Sequence, residues 1–257
     1  MPHSLLLKGK SILGGALGVL LTSCSVYAPL QPSAPMLHDK GQAEVTGSVY
    51  LSSRLEGSVA YSPARHVLVR AAGGLQPDKR KDTYFRIQQV EVGAGTYRAL
   101  SERWLVGGLG GYGRGQSSRR FTRTDEQRFA LDTITTYAYA ARFHKIFGEA
   151  FVAYEDDGFT MGLAYRLSQV RFSSLTNNGQ PLKLQRMTRS EPMFFMRFGD
   201  RQGVFEWAQL QLGISTSWSP DYGRGVRLEQ QLADIKEARL FTSIGLVVYP
   251  HKFRKHN

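Results

Sequence analysis

Ala208-Gln209-Leu210-Gln211-Leu212-Gly213-Ile214-Ser215, which runs on to Trp218, is the stretch that decides the fold. Apolar and polar residues alternate without a break, so the period is two and the segment is a β-strand with one greasy and one polar face. Ala208, Leu210, Leu212 and Ile214 share the greasy face, which ends at Trp218, and Gln209, Gln211, Gly213 and Ser215 share the other. A barrel soluble in water turns such leucines inward. A membrane barrel turns them outward and caps the apolar band with aromatic residues.

Working outward, the same alternation recurs. Ala43, Val45, Gly47, Val49 and Leu51 form one face of a first strand, Leu55, Gly57, Val59 and Tyr61 of a second, and Val67, Val69, Ala71 and Gly73 of a third. Pro63 in the turn Ser62 to His66 stops the pairing between the last two, because proline has no donor for a ladder. Further strands read at 84–98, 103–115, 134–154, 159–173, 190–199, 204–218 and 238–249. The chain is therefore expected to be all-β, an antiparallel up-and-down barrel of about ten strands spanning 42–250, with twelve as the alternative count. The segment 134–154 is taken as one strand with a bulge near Lys145; a turn at His144-Lys145 would make eleven strands and put the last one on the wrong side. Connections alternate between short (63–65, 99–102, 155–158, 200–203) and long (76–83, 116–133, 174–189, 219–237), the habit of barrels with short turns on one side of a membrane and loops on the other. The segment Arg227 to Lys236 is the one candidate helix.

The N-terminus supplies a location. Lys8 and Lys10 precede an apolar run from Ile12 to Leu21 that is too short to span a bilayer, which describes a cleavable signal over residues 1–23. Cys24 is the only cysteine among 257 residues, so no intramolecular disulfide forms. From Ser25 to Lys40 the chain holds Pro29, Pro32 and Pro35 and lacks apolar periodicity, and it reads as an extended tether. Loss of residues 1–23 removes two lysines and no acid, so the net charge falls from +12 to +10. Behind an export signal, the polyanions in reach are envelope components such as lipopolysaccharide, not nucleic acid. Basic clusters at Lys79-Arg80-Lys81 and at Arg119, Arg120, Arg123 and Arg128 lie in expected outer loops.

Leu21-Thr22-Ser23-Cys24 resembles the lipobox of bacterial lipoproteins. That resemblance implies cleavage before Cys24, an S-diacylglycerol and an N-acyl chain on it, and, with Ser25 next, outer-membrane sorting. The whole chain resembles small Gram-negative outer-membrane β-barrels, and its lipobox, Tyr-Ala-Pro tether and ten strands together resemble an uncharacterised family of barrel lipoproteins. Ala60-Tyr61-Ser62-Pro63 and the final Val248-Tyr249 carry the match, although the basic tail 251–257 is a departure from most barrels.

On these registers Glu44, Glu56, Glu91, Glu149 and Gln211 face a narrow lumen, with Arg142, Arg166 and Arg197 as counter-charges. Carboxylate–guanidinium pairs filling a small barrel are the expected reading. Gly108 to Gly113 matches G-x-G-x-x-G, but no helix follows to receive a phosphate. The histidines lack metal-ligand spacing, and Ser117, Ser118 and Asp125 have no neighbouring histidine as base, so neither a cofactor nor a catalytic site is expected. Three functional classes follow: a structural or interaction barrel, which is favoured; a tethered barrel binding a lipid or hydrophobic molecule; and a lipid-modifying enzyme.

Overall fold

A computed structural model describes residues 25–78, 80–125, 133–199, 206–221 and 230–256. The signal segment and Cys24 lie outside these residues, as do Lys79 and Arg128. The strands are β1 (Ala43–Tyr50), β2 (Leu55–Tyr61), β3 (Val67–Gln76), β4 (Tyr84–Ala99), β5 (Trp104–Asp125), β6 (Thr133–Glu155), β7 (Phe159–Asn177), β8 (Gln180–Pro181), β9 (Arg186–Phe198), β10 (Ala208–Ser217) and β11 (Arg239–Val248). Each barrel strand pairs antiparallel with its neighbours, and pairing of β11 with β1 closes the wall. Ten strands thus form the barrel among the described residues, and β8 is a two-residue addition to the end of β7. The helix α1 (Gln230–Lys236) sits in the β10–β11 connection, and the tail coils as a 3-10 helix over Pro250–His256.

The exterior carries the belt that the alternation implies. Along β5 and β6 the outward residues begin at Trp104 and Tyr154, whose rings meet edge to face at 5.3 Å, and continue through Val106, Val152, Gly108, Ala150, Gly110 and Gly148. They end at Tyr112, whose ring stacks on His144. Trp104 to Tyr112 is nine residues, the length a tilted strand needs to cross hydrocarbon. Opposite, Leu210, Leu212 and Ile214 are 47, 40 and 44 % exposed on the outer surface. Leu212 and Ile214 border an open trough on that outer surface and not the interior, and Gln209 and Gln211 are the buried residues, the reverse of the geometry required by the tethered lipid-binding reading.

Four strands outgrow that belt. β4 to β7 have 16, 22, 23 and 19 residues, so the expected loop 116–133 is mostly strand. Above Tyr112 the outer face turns polar (Gln116, Ser118, Arg120, Thr122), and this hides the continuation from a search for apolar alternation. The inner face keeps the sheet together there: Phe121 stacks on Tyr137 and Tyr139 at 5.4 and 6.0 Å.

The bulge belongs to β7, not to β6 at Lys145. Arg142 pairs with Ser174 and Phe143 with Phe172, leaving Ser173 as the extra residue. β6 therefore alternates strictly throughout. Its inward positions are the odd ones, Ala141 to Glu155, and Arg142 points outward.

Candidate functional site

The segment read as a free tether is inside the barrel. Residues 25–37 are buried at every position except the half-buried Ser33, and they run through the lumen antiparallel to β1. Ser25 is at the long-loop mouth, where its hydroxyl donates to the Ile235 carbonyl of α1 at 2.8 Å and its carbonyl accepts from Arg239 at 3.3 Å. The other end emerges among the short turns. There the Gly41 N–H donates to the Ser62 carbonyl, and His38 lies 2.9 Å from Glu155. Thirteen extended residues at about 3.1 Å each span roughly 40 Å between the two mouths.

An extended strap has no internal hydrogen bonds, so in a closed lumen its backbone must be satisfied by the wall. Prolines 29, 32 and 35 remove three donors. Amides beside them meet carboxylates: Gln31 N–H donates to Glu56 at 3.1 Å, Ser33 N–H to Glu149 at 2.8 Å and Met36 N–H to Glu44 at 2.8 Å. The carbonyls meet donors of the opposite kind. Ala28 accepts from Gln89 at 2.7 Å, Leu30 from Arg166 at 2.9 Å and Ala34 from Arg197 at 3.2 Å.

Those same side chains bind one another across the lumen. Arg166 contacts Glu149 at 2.6 Å and Glu91 at 3.1 Å, and Glu91 also holds Arg70 at 2.5 Å and Lys145 at 3.0 Å. Lower down, Arg197 clasps both oxygens of Glu44 at 2.9 and 3.0 Å and donates to Gln211 at 2.9 Å. Glu56 takes Arg54 at 2.8 Å and the Tyr50 hydroxyl at 2.5 Å. Bidentate and multiply bonded pairs of this kind are what keep buried charges tolerable.

The charged zone is enclosed between two apolar layers. Toward the long loops, Val26, Tyr27 and Ala28 pack with Phe85, Phe143, Phe241 and Ile235. Toward the short turns, Ala34, Met36 and Leu37 pack with Leu68, Leu105, Phe147, Phe151 and Phe195. The strap is thus apolar, polar and apolar in register with its surroundings. The interior is not the uniformly polar lumen that the sequence suggests.

The candidate residues separate cleanly. Glu44, Glu56, Glu91, Glu149, Gln211, Arg166 and Arg197 all face this interior. Arg142 is a correction: it is exposed on the outer surface, because seven residues separate it from Glu149 on a strand without a bulge. Lys145, four residues from Glu149, occupies the interior place instead. Sequence reasoning also missed Arg70, Arg189 and Glu191. Their signal was parity, since Arg70 is out of phase with Val67, Val69 and Ala71, and Arg189 and Glu191 are in phase with Arg197.

Of the expected loop cations, Arg80 pairs with Asp78 at 2.7 Å and Arg123 with Asp234 at 2.9 Å, while Arg119 turns inward toward Phe85 and Phe121. The Gly108–Gly113 run is mid-strand. Ser117 and Ser118 point to opposite faces of β5, and the Asp125 side chain lies outside the described residues.

No protein-family model matches the chain, and no curated protein matches it. Among solved structures, the outer membrane protease OmpT from Escherichia coli is 10 % identical, with 81 % of this chain and 93 % of that chain aligned and a TM-score of 0.48. A NanC porin is 11 % identical over 80 and 98 % of the chains with a TM-score of 0.39, and the translocator domain of the autotransporter NalP from Neisseria meningitidis is 12 % identical over 80 and 86 % with 0.38. Likeness at this level carries no functional argument. The membrane-barrel architecture rests on the outer belt and on the closed antiparallel wall.

Proposed function

We propose that the chain is an outer-membrane β-barrel, anchored by lipid at Cys24 and closed to solutes by its own N-terminal strap, with a structural or interaction role in the cell envelope. The observation that carries this reading is the pairing of a nine-residue apolar belt outside with a lumen occupied throughout by Ser25–Leu37. A wall built for hydrocarbon around an interior that the described residues fill supports a barrel closed to solutes. With Ser25 at the long-loop mouth, acyl chains on the preceding residue would enter the leaflet nearest the long loops.

The test is fractionation of native membranes combined with maleimide labelling of Leu212→Cys, with Cys24 retained. The expected result is an outer-membrane protein with heat-modifiable gel mobility, labelled at position 212 by a lipid-soluble maleimide and not by a water-soluble one. Mass analysis of the N-terminal peptide is expected to show acyl groups on Cys24. Release by carbonate, with water-soluble labelling of position 212, would overturn the reading.

A further inference from the structure

The outer wall carries an arrangement that the lumen does not explain. Arg114 pairs across strands with His144, His144 with Arg171 and Arg171 with Arg186. Four basic residues on β5, β6, β7 and β9 thus stand side by side in one row. All four lie on the outer face, the three arginines exposed and His144 half-buried. Strands are spaced about 4.8 Å apart, so the row is about 14 Å long. Like charges directly opposite each other weaken a sheet. The neighbours one step up or down the outer face are Tyr112, Gln116, Arg142, Ile146, Gln169 and Thr188, without a carboxylate among them.

The level of the row points to the class of anion it suits. It lies one step above Tyr112 and Ile146, the last apolar positions of the belt on β5 and β6, and so at the height of lipid headgroups on the long-loop side. Beside it a surface trough of about 780 Å³ is lined by Leu55, Leu75 and Val90 together with Arg114, Arg142 and His144; Glu56 also lines it, with its carboxylate turned inward to Arg54 and Tyr50. Apolar and cationic side chains meeting at one trough suit an acylated anion. A row about 14 Å long is longer than one phosphate can bridge, and its two ends call for two.

We propose that the Arg114–His144–Arg171–Arg186 row binds a doubly phosphorylated, acylated lipid of the lipopolysaccharide class, with phosphates on the arginines and acyl chains on the belt and in the trough. The inference rests on the membrane-barrel reading above.

Lipid-depleted protein in neutral detergent micelles is titrated with bis-phosphorylated lipid A, monophosphorylated lipid A and phosphatidylglycerol, with heat-modifiable mobility recorded in parallel. The bis-phosphorylated lipid should bind tightest. Arg114→Gln/Arg171→Gln should weaken it by about tenfold or more while the mobility shift persists, and Arg120→Gln, an outer arginine off the row, should leave it unchanged. Equal affinity for phosphatidylglycerol, an unaffected double variant or an equal loss in Arg120→Gln would overturn the site while the barrel reading stands. A protein that stays dispersed without detergent and lacks the mobility shift would overturn both.

Discussion

Arg166 and Arg171 lie five residues apart on β7 and on opposite sides of the same wall. Arg166 is fully buried, held by Glu149, Glu91 and the Leu30 carbonyl. Arg171 is exposed, with His144 and Arg186 as its cross-strand neighbours. A cation sealed in a lumen must find its anions within the fold, because no solvent remains to supply them. A cation on the rim of a membrane belt can be matched from outside. The inner set therefore determines whether the barrel exists, and the outer set what gathers around it.

The contrast breaks most sharply if the strap goes. Replacing residues 26–37 with a Gly/Ser chain of equal length keeps the amides but removes the side chains that hold the strap in both apolar layers, so the strap should leave Glu44, Glu56 and Glu149 and open the lumen. Discrete conductance steps in planar bilayers are expected, where the wild type is silent; a silent variant would show that the wall's own side chains close the passage. Next comes Arg166→Met, which leaves Glu149 and Glu91 undercompensated and should cost about 3–5 kcal/mol in urea unfolding. Adding Glu149→Gln should cost less than the sum of the two single changes, since both break one network.

Glycines sharpen the same division. A Cβ at Gly107 would fall 2.3 Å from Phe151 Cζ and 2.8 Å from the Thr96 carbonyl, whereas one at the outward Gly148 would meet nothing within 4 Å. Gly107→Ala should therefore destabilise by about 1–3 kcal/mol and Gly148→Ala by none, as read from unfolding midpoints. Arg171→Gln in lipid-free micelles should change stability by less than about 0.5 kcal/mol, and toward greater stability, because it removes like-charge repulsion. A clear loss would mean that Arg171 has a partner within the chain.

The smallest effect is a pH response in the β3–β4 loop. Hydrogen bonds from the Arg80 guanidinium hold the Asp78 carboxyl well below the usual carboxylate range. A lowered value contributes stability above the ordinary aspartate pKa of about 3.9 and loses it only as the pH falls through the lowered one. Carbonyl NMR should find Asp78 still ionised at pH 3 in the wild type and titrating at a higher pH in Arg80→Gln, where the backbone amides of residues 80 and 85 still favour the carboxylate.

Much of the fold was legible because alternation is a property of single strands. Leu210, Leu212, Val45 and Val49 announce a belt without reference to any neighbour, and Glu44, Glu149 and Arg166 follow onto the other face by parity. Parity also condemns Arg142, whose inward assignment required a bulge on the wrong strand. What could not be read depends on relations between segments. Pro29, Pro32 and Pro35 favour the same extended backbone in water as in a lumen, so composition reveals the strap's conformation and not its place. Arg114, His144, Arg171 and Arg186 become a row only when the registers of four strands are known.

The strap runs down the lumen from Ser25, reverses near Gly41 and returns upward as β1, making an inner hairpin whose second arm is also the first stave of the wall. Its first arm is gripped by β2, β4, β6, β7 and β9 through Glu56, Gln89, Glu149, Arg166 and Arg197. Drawing that arm through a finished barrel would drag Leu30 and Tyr27 past a ring of paired charges. Closing the staves around it meets no such obstacle, so the strap is expected to lie in place before the last seam of the wall joins, a mandrel for its assembly.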